Sequence, residues 1–223
     1  MSFPAASASS SATGWRRRVP NLLTMLRLAM AVAFFLVLGA AIPSAVANDA
    51  RAEWGNAAIA LFIAGALTDV LDGWLARRWN AVTAFGRVMD PFVDKVLVLG
   101  AFVYLAALPS FAQGPLGGAM DTGVSAWMAV VLLARELLVT SLRGWLEGNG
   151  IAFPADPAGK AKMLLQSVAV PVCLFVAVHP GPAASDGWLG TRGFLVWATV
   201  VATVLSAIPY VVRAIRVAPD ARS

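Results

Sequence analysis

The sequence predicts an all-α integral membrane protein of six transmembrane helices, and three observations carry that prediction. Hydrophobic residues fill 59% of the 223 positions and charged residues only 13%, where a soluble domain holds about half and about a quarter. Apolar stretches near the length of about 20 residues that a hydrocarbon layer requires recur six times between Asn21 and Val212. Turn-forming clusters separate most of them: Pro109, Gly114 to Gly118, Pro154 to Gly159 and Pro180 to Gly187.

Taken in chain order, residues 1–14 are rich in Ala, Ser and Thr without periodicity, a composition expected to stay a disordered tail. Trp15 with Arg16, Arg17 and Arg18 forms an interfacial anchor, an aromatic ring at headgroup level beside cations. Pro20 suits a helix start. The six helices are expected at about 21–44, 54–78, 87–108, 122–146, 160–179 and 192–212. One catalytic domain would then span 15–216, with a short tail at 217–223.

Arg16 to Arg18, the following apolar run and Ala45-Val46-Ala47 imitate a secretory signal with its cleavage site. Arg27 interrupts that run, which is also long for a signal from Leu28 onward, so a retained first helix is expected.

Cytoplasmic segments of membrane proteins carry the excess of Lys and Arg. Placing both termini and the 2–3 and 4–5 connections on one side collects all of the 17 basic residues except Arg51 and Arg192. Both termini are therefore expected in the cytoplasm. The net charge of +5 follows this topology and does not form the clustered, aromatic-interleaved face of a nucleic-acid binder. Cys173, the single cysteine, sits in an apolar run and reads as a buried thiol. His179, the single histidine, stands at the outer end of the fifth helix and reads as structural.

The chemistry is expected in four carboxylates. A charge at membrane depth costs at least about 2.5 to 3.5 kcal/mol, so intramembrane acids pair, face a cavity or bind ions. Asp69 and Asp72 stand three apart near the end of the second helix, and Asp90 and Asp94 four apart near the start of the third. Each pair shares one helix face. Consecutive antiparallel helices would bring all four to one depth, close to the cytoplasmic interface. Mutual repulsion there is relieved most economically by divalent metal, and oxygen ligands favour Mg²⁺ or Mn²⁺ over zinc. Gly73 and Gly86 would let a ligand approach the backbone, and Arg77 would offer a cation to a phosphate.

Read in order, these positions are Asp69-x2-Asp72-Gly73-x2-Ala76-Arg77-x8-Gly86-x3-Asp90-x3-Asp94, which resembles the full signature of the CDP-alcohol phosphatidyltransferases. That resemblance implies a six-helix membrane fold, usually dimeric. It also implies transfer of a phosphatidyl group from a CDP-linked lipid, CDP-diacylglycerol, to an alcohol with release of CMP. It further implies that Asp69, Asp72, Asp90 and Asp94 hold two divalent ions against the diphosphate and that Asp94 is the base. Gly73, Ala76, Arg77 and Gly86 would line the cytidine nucleotide.

Three more segments resemble the bacterial phosphatidylglycerophosphate synthases within that family. They are Pro20-Asn21-x2-Thr24-x2-Arg27, Ala134-Arg135-Glu136 with Arg143 and Trp145, and Gly159-Lys160-x-Lys162 with Gln166 one turn on. The acceptor implied is glycerol 3-phosphate, in the inner membrane of a bacterium. An unpaired Arg135 inside an apolar helix would be expensive, while Glu136 beside it should point to a different face. Lys160 and Lys162 open a helix whose dipole also favours an anion. Arg135, Arg143, Lys160 and Lys162 are therefore the candidates for the acceptor phosphate, with Asn21 and Thr24 as further substrate contacts. Met163 stands where those synthases usually carry threonine. Rival acceptors are phosphatidylglycerol, as in a cardiolipin synthase, and inositol phosphate. An ion transporter would need a repeated half with its own acids, and helices four to six offer none.

Overall fold

The computed structural model describes residues 14–42, 50–79, 84–111, 121–150, 157–179 and 185–217. Among them the chain is helical throughout: α1 Gly14–Leu36, α2 Arg51–Arg78, α3 Ala84–Phe111, α4 Ala126–Gly148, α5 Pro157–Val178, α6 Asp186–Leu205 and α7 Ile208–Val217. A π-helical segment, Val37–Ala41, continues α1. Five stretches are long and apolar enough to cross a membrane, the last combining α6 and α7. The exception is α4, whose 23 residues include Arg135, Glu136, Arg143 and Glu147. Large apolar side chains such as Leu22, Leu67, Val70, Val130 and Phe194 point outward, the arrangement of a surface solvated by lipid.

Several boundaries differ from expectation for local reasons. Pro20 lies inside α1 and Pro109 inside α3, since a membrane helix tolerates a missing N–H when neighbours compensate. The expected helix over 192–212 is instead broken at Ser206 and Ala207. Pro209 cannot donate to the carbonyl of Leu205, and the Ser206 hydroxyl donates to Thr203 O at 2.9 Å. The start of α4 is delayed by a tight turn. There the Thr122 hydroxyl donates to Leu105 O at 2.8 Å, the Gly123 amide donates to Asp121 Oδ1 at 2.9 Å, and Gly123 has φ 71°. Arg192 of α6 clamps this turn, donating to Asp121 O at 2.7 Å. The tails expected at 1–14 and 217–223 lie almost wholly outside the described residues, as does Ala45-Val46-Ala47.

The buried core runs between α1, α2, α3, α4, α5 and α6, with Phe34, Phe62, Leu97, Phe102, Leu132, Cys173 and Val196 among its residues. Helix α1 packs against both α2 and α3, more extensively than those two pack on one another. The first helix is thus a wedge between the two that carry the aspartates, and Phe34 meets Phe62 of α2 with ring centroids 5.6 Å apart. His179 stacks near Phe175 at 4.6 Å.

Close approach of α2 and α5 depends on Gly55, where an added Cβ would stand 2.5 Å from Val178 Cγ2. The stiff valine leaves little room to yield. Gly55→Ala is expected to destabilise the protein in detergent by about 1 to 3 kcal/mol through overpacking. Gly190→Ala in α6, where nothing lies within 4 Å, should instead be neutral or stabilising by up to about 1 kcal/mol. Thermal unfolding of both variants checks this, and equal shifts would show that α2 and α5 do not meet at Gly55.

Candidate active site

Helix geometry places Asp69, Asp72 and Gly73 on the last turns of α2, and Asp90 and Asp94 on the first turns of α3. Because α1 lies between them, it supplies their first partners. Arg27 Nη1 reaches Asp69 Oδ1 at 2.7 Å, with the arginine 1% exposed and the aspartate 34%. The Thr24 hydroxyl, also buried, donates to Asp90 Oδ1 at 2.7 Å. Thr24 and Arg27 are three apart on α1, so one face of this helix addresses both acid-bearing helices. Asn21, one turn earlier, is half-buried. The side chains of Asp72, Ala76, Arg77 and Gly86 lie outside the described residues, although their backbone is helical.

Among the described residues no three carboxylates stand close enough to form a ready cage for a metal ion. The donor chemistry nevertheless suits a hard divalent cation, because Asp69 and Asp90 offer carboxylate oxygens and neither sulfur nor imidazole accompanies them.

Asp94 faces a different set of neighbours. It lines a cavity of about 60 Å³ with Lys95, Val98 and Leu99 of α3, Glu136 of α4, and Lys162, Met163, Gln166 and Ser167 of α5. The charges of Asp69, Arg27, Lys162 and Glu136 all act on Asp94. This residue therefore stands where the carboxylate side of the molecule meets the basic side. Lys95 turns to α4, where its Nζ donates to Thr140 Oγ1 at 2.6 Å.

The four candidate acceptor-binding cations divide. Lys162 is buried, lines the Asp94 cavity and donates to Glu136 Oε1. Arg135 reaches the same carboxylate oxygen at 2.7 Å and also donates to Ser206 O at 3.1 Å and Ser206 Oγ at 2.9 Å. Its guanidinium lies over the Tyr210 ring at 5.9 Å. Arg143 is exposed and pairs with Glu147 at 2.8 Å, and Lys160 is exposed. Neither lines the cavity.

Glu136 corrects one expectation. Adjacent residues leave a helix about 100° apart, yet Arg135 is long enough to fold back on its neighbour, and the two form a buried pair. Sequence reading gave Glu136 no role, although an acid beside a buried arginine is a signal for such a pair. Gln166, named with the Lys160–Lys162 segment, likewise had no assigned role. Its spacing of four from Lys162 puts both on one face of α5.

Residues 17–205 match the family model for CDP-alcohol phosphatidyltransferase. The chain is 34% identical over 164 residues to the CDP-diacylglycerol–glycerol-3-phosphate 3-phosphatidyltransferase of Bacillus subtilis, covering 70% of this chain and 76% of that protein. It is 35% identical over 199 residues to a probable phosphatidylglycerophosphate synthase of Mycobacterium tuberculosis, covering 88% and 81%. The Escherichia coli protein named like that of Bacillus subtilis is 33% identical over 158 residues, covering 68% and 74%. With a match over most of its helices and the aspartates of its signature at the ends of α2 and α3, the chain belongs to the CDP-alcohol phosphatidyltransferase family.

Proposed function

We propose that this protein transfers the phosphatidyl group of CDP-diacylglycerol to sn-glycerol 3-phosphate, forming phosphatidylglycerol phosphate and CMP. The observation that carries this reading is the shared cavity of Asp94 and Lys162, where a carboxylate and a buried cation line one space. The names of the relatives support the same acceptor. The setting proposed is a bacterial inner membrane, with both termini and the active site on the cytoplasmic side, and the assembly is the homodimer that the family resemblance implies.

In this reading Asp69, Asp72, Asp90 and Asp94 would hold Mg²⁺ or Mn²⁺, two ions in all, and Gly73, Ala76, Arg77 and Gly86 would line the cytidine nucleotide. When bound, the divalent ions supply positive charge that neutralises the diphosphate and the departing CMP. The chain's own residues do the rest. Arg27 and Thr24 hold Asp69 and Asp90 in place, and Asn21 remains a proposed substrate contact. Asp94 accepts the proton of the acceptor hydroxyl. The oxygen so freed attacks the lipid-side phosphorus as the bond to CMP breaks, with no covalent enzyme intermediate. Lys162 meets the acceptor phosphate directly. Arg135 acts through Glu136, while Arg143 and Lys160, exposed and outside the cavity lining, would draw the anion in by their charge.

CMP release by the purified protein, supplied with CDP-diacylglycerol, metal and one acceptor at a time, tests the assignment. Glycerol 3-phosphate should be the preferred acceptor, and a preference for phosphatidylglycerol or inositol phosphate would overturn it.

Asp69→Asn, Asp72→Asn and Asp90→Asn should each abolish CMP release while leaving the protein inserted in the membrane. Asp94→Asn should lower kcat by about 10² to 10⁴, the usual cost of losing a positioned proton acceptor, with binding of CDP-diacylglycerol kept. Equal loss of binding and turnover would make Asp94 chiefly a ligand. Chelation should silence the enzyme and added Mg²⁺ or Mn²⁺ restore it.

Lys162→Gln removes a charge-assisted contact worth about 1.5 to 3 kcal/mol. The KM for glycerol 3-phosphate should rise about ten- to a hundredfold, with that for CDP-diacylglycerol little changed. Comparable loss toward both substrates would move the acceptor site elsewhere.

A further inference from the structure

Gln166 is 3% exposed, and its side-chain amide nitrogen is buried with no hydrogen-bond partner among the described residues. Buried polar groups are paired as a rule, and an orphan donor calls for an explanation. This one lines the cavity that also holds Asp94, Glu136 and Lys162. Three of the other polar groups there are already committed. Lys162 and Glu136 bond to each other, Lys95 donates to Thr140, and Val98, Leu99 and Met163 offer no strong hydrogen-bond acceptor at their side chains, while Asp94 and Ser167 also face the cavity. An unsatisfied donor in such a place fits an oxygen atom that arrives with a ligand.

The chemistry of the cavity indicates which oxygen. Gln166 follows Lys162 by one helical turn, about 6 Å along the axis of α5, and Asp94 faces in from α3. An acceptor whose phosphate meets Lys162 and whose reacting hydroxyl meets Asp94 brings a third polar group, the hydroxyl on the carbon between them. A neutral carboxamide is suited to a neutral hydroxyl, whereas a phosphate draws first on the cation. We propose that the Gln166 side-chain amide donates a hydrogen bond to the non-reacting hydroxyl of the acceptor, so that this residue selects a phosphorylated vicinal diol over a simple phosphorylated alcohol. The inference rests on the acceptor reading given above and assigns a specificity-determining contact within it.

Full-length protein in detergent, with CDP-diacylglycerol and Mg²⁺ or Mn²⁺, is assayed for CMP release with two acceptors. One is glycerol 3-phosphate and the other 3-hydroxypropyl phosphate, the same chain without its middle hydroxyl. The unmodified protein should favour glycerol 3-phosphate in kcat/KM by at least about tenfold, as sites built around a substrate hydroxyl do. Gln166→Met, close to isosteric, should lose most of that preference through slower use of glycerol 3-phosphate. Turnover of 3-hydroxypropyl phosphate and the KM for CDP-diacylglycerol should stay within about threefold. Gln166→Asn, with a shorter amide, should fall between. A variant that slows on both acceptors and keeps the preference would show a structural residue and overturn the proposal. Absence of any preference in the unmodified protein would overturn it without recourse to variants. If the unmodified protein releases no CMP with glycerol 3-phosphate but does with another acceptor, the acceptor reading has failed and the proposal falls with it. That result differs from the loss of a preference.

Discussion

Arg27 lies in a helix that must cross the membrane, 1% exposed, with its guanidinium 2.7 Å from the carboxylate of Asp69. An unpaired charge in this position would cost several kcal/mol, so the pair constrains where α1 can sit. Thr24, one turn earlier, adds a hydroxyl to Asp90. Together these contacts seat α1 between α2 and α3, and they fix two acids from separate helices relative to one another. Removing the arginine would leave Asp69 without the cation it faces and would release the wedge that sets the spacing of α2 and α3.

A second polar group stands on the opposite flank. Ser206, at the break between α6 and α7, holds Arg135. Arg135 and Lys162 then share one carboxylate, Glu136. Each buried cation keeps a partner, which is what allows charge at this depth at all. Asp94 lies between the two groups and lines the cavity with Lys162 and Gln166. The break at Ser206, forced by Pro209, is thereby linked to the proposed acceptor side, since a continuous helix would have committed the Ser206 carbonyl to its own backbone.

The helical class and the position of the acids could be read from the sequence, because both rest on local periodicity and spacing. Asp90 and Asp94 four apart on one helix are a local fact, as is a run of apolar residues long enough to span a membrane. The partners of these acids could not be read in this way. Thr24 and Asp90 are 66 residues apart, and only packing of α1 across α2 and α3 brings them together. The expectation that α2 and α3 bring their acids to one depth said nothing of a helix wedged between them. Glu136 was misread because side-chain length was left out of a helical-wheel argument. The role of Gln166 rests on an unpartnered amide in a cavity, which no pattern in a single chain reveals. Helix ends moved where a proline or a turn decided them, at Ser206 through a local bond to Thr203 and at Thr122 through a tertiary contact with Leu105.

The central claim is that the α1 pair organises the carboxylate site, and a double-mutant cycle on Arg27 and Asp69 addresses it most directly. Stability in detergent is measured for Arg27→Met, Asp69→Asn and the two combined. The account predicts a coupling of about 1 to 3 kcal/mol, within the range for residues in direct contact, with the double variant recovering much of what either single change loses. Additive effects, with coupling below about 0.5 kcal/mol, would mean that Arg27 and Asp69 do not depend on one another, and would contradict it.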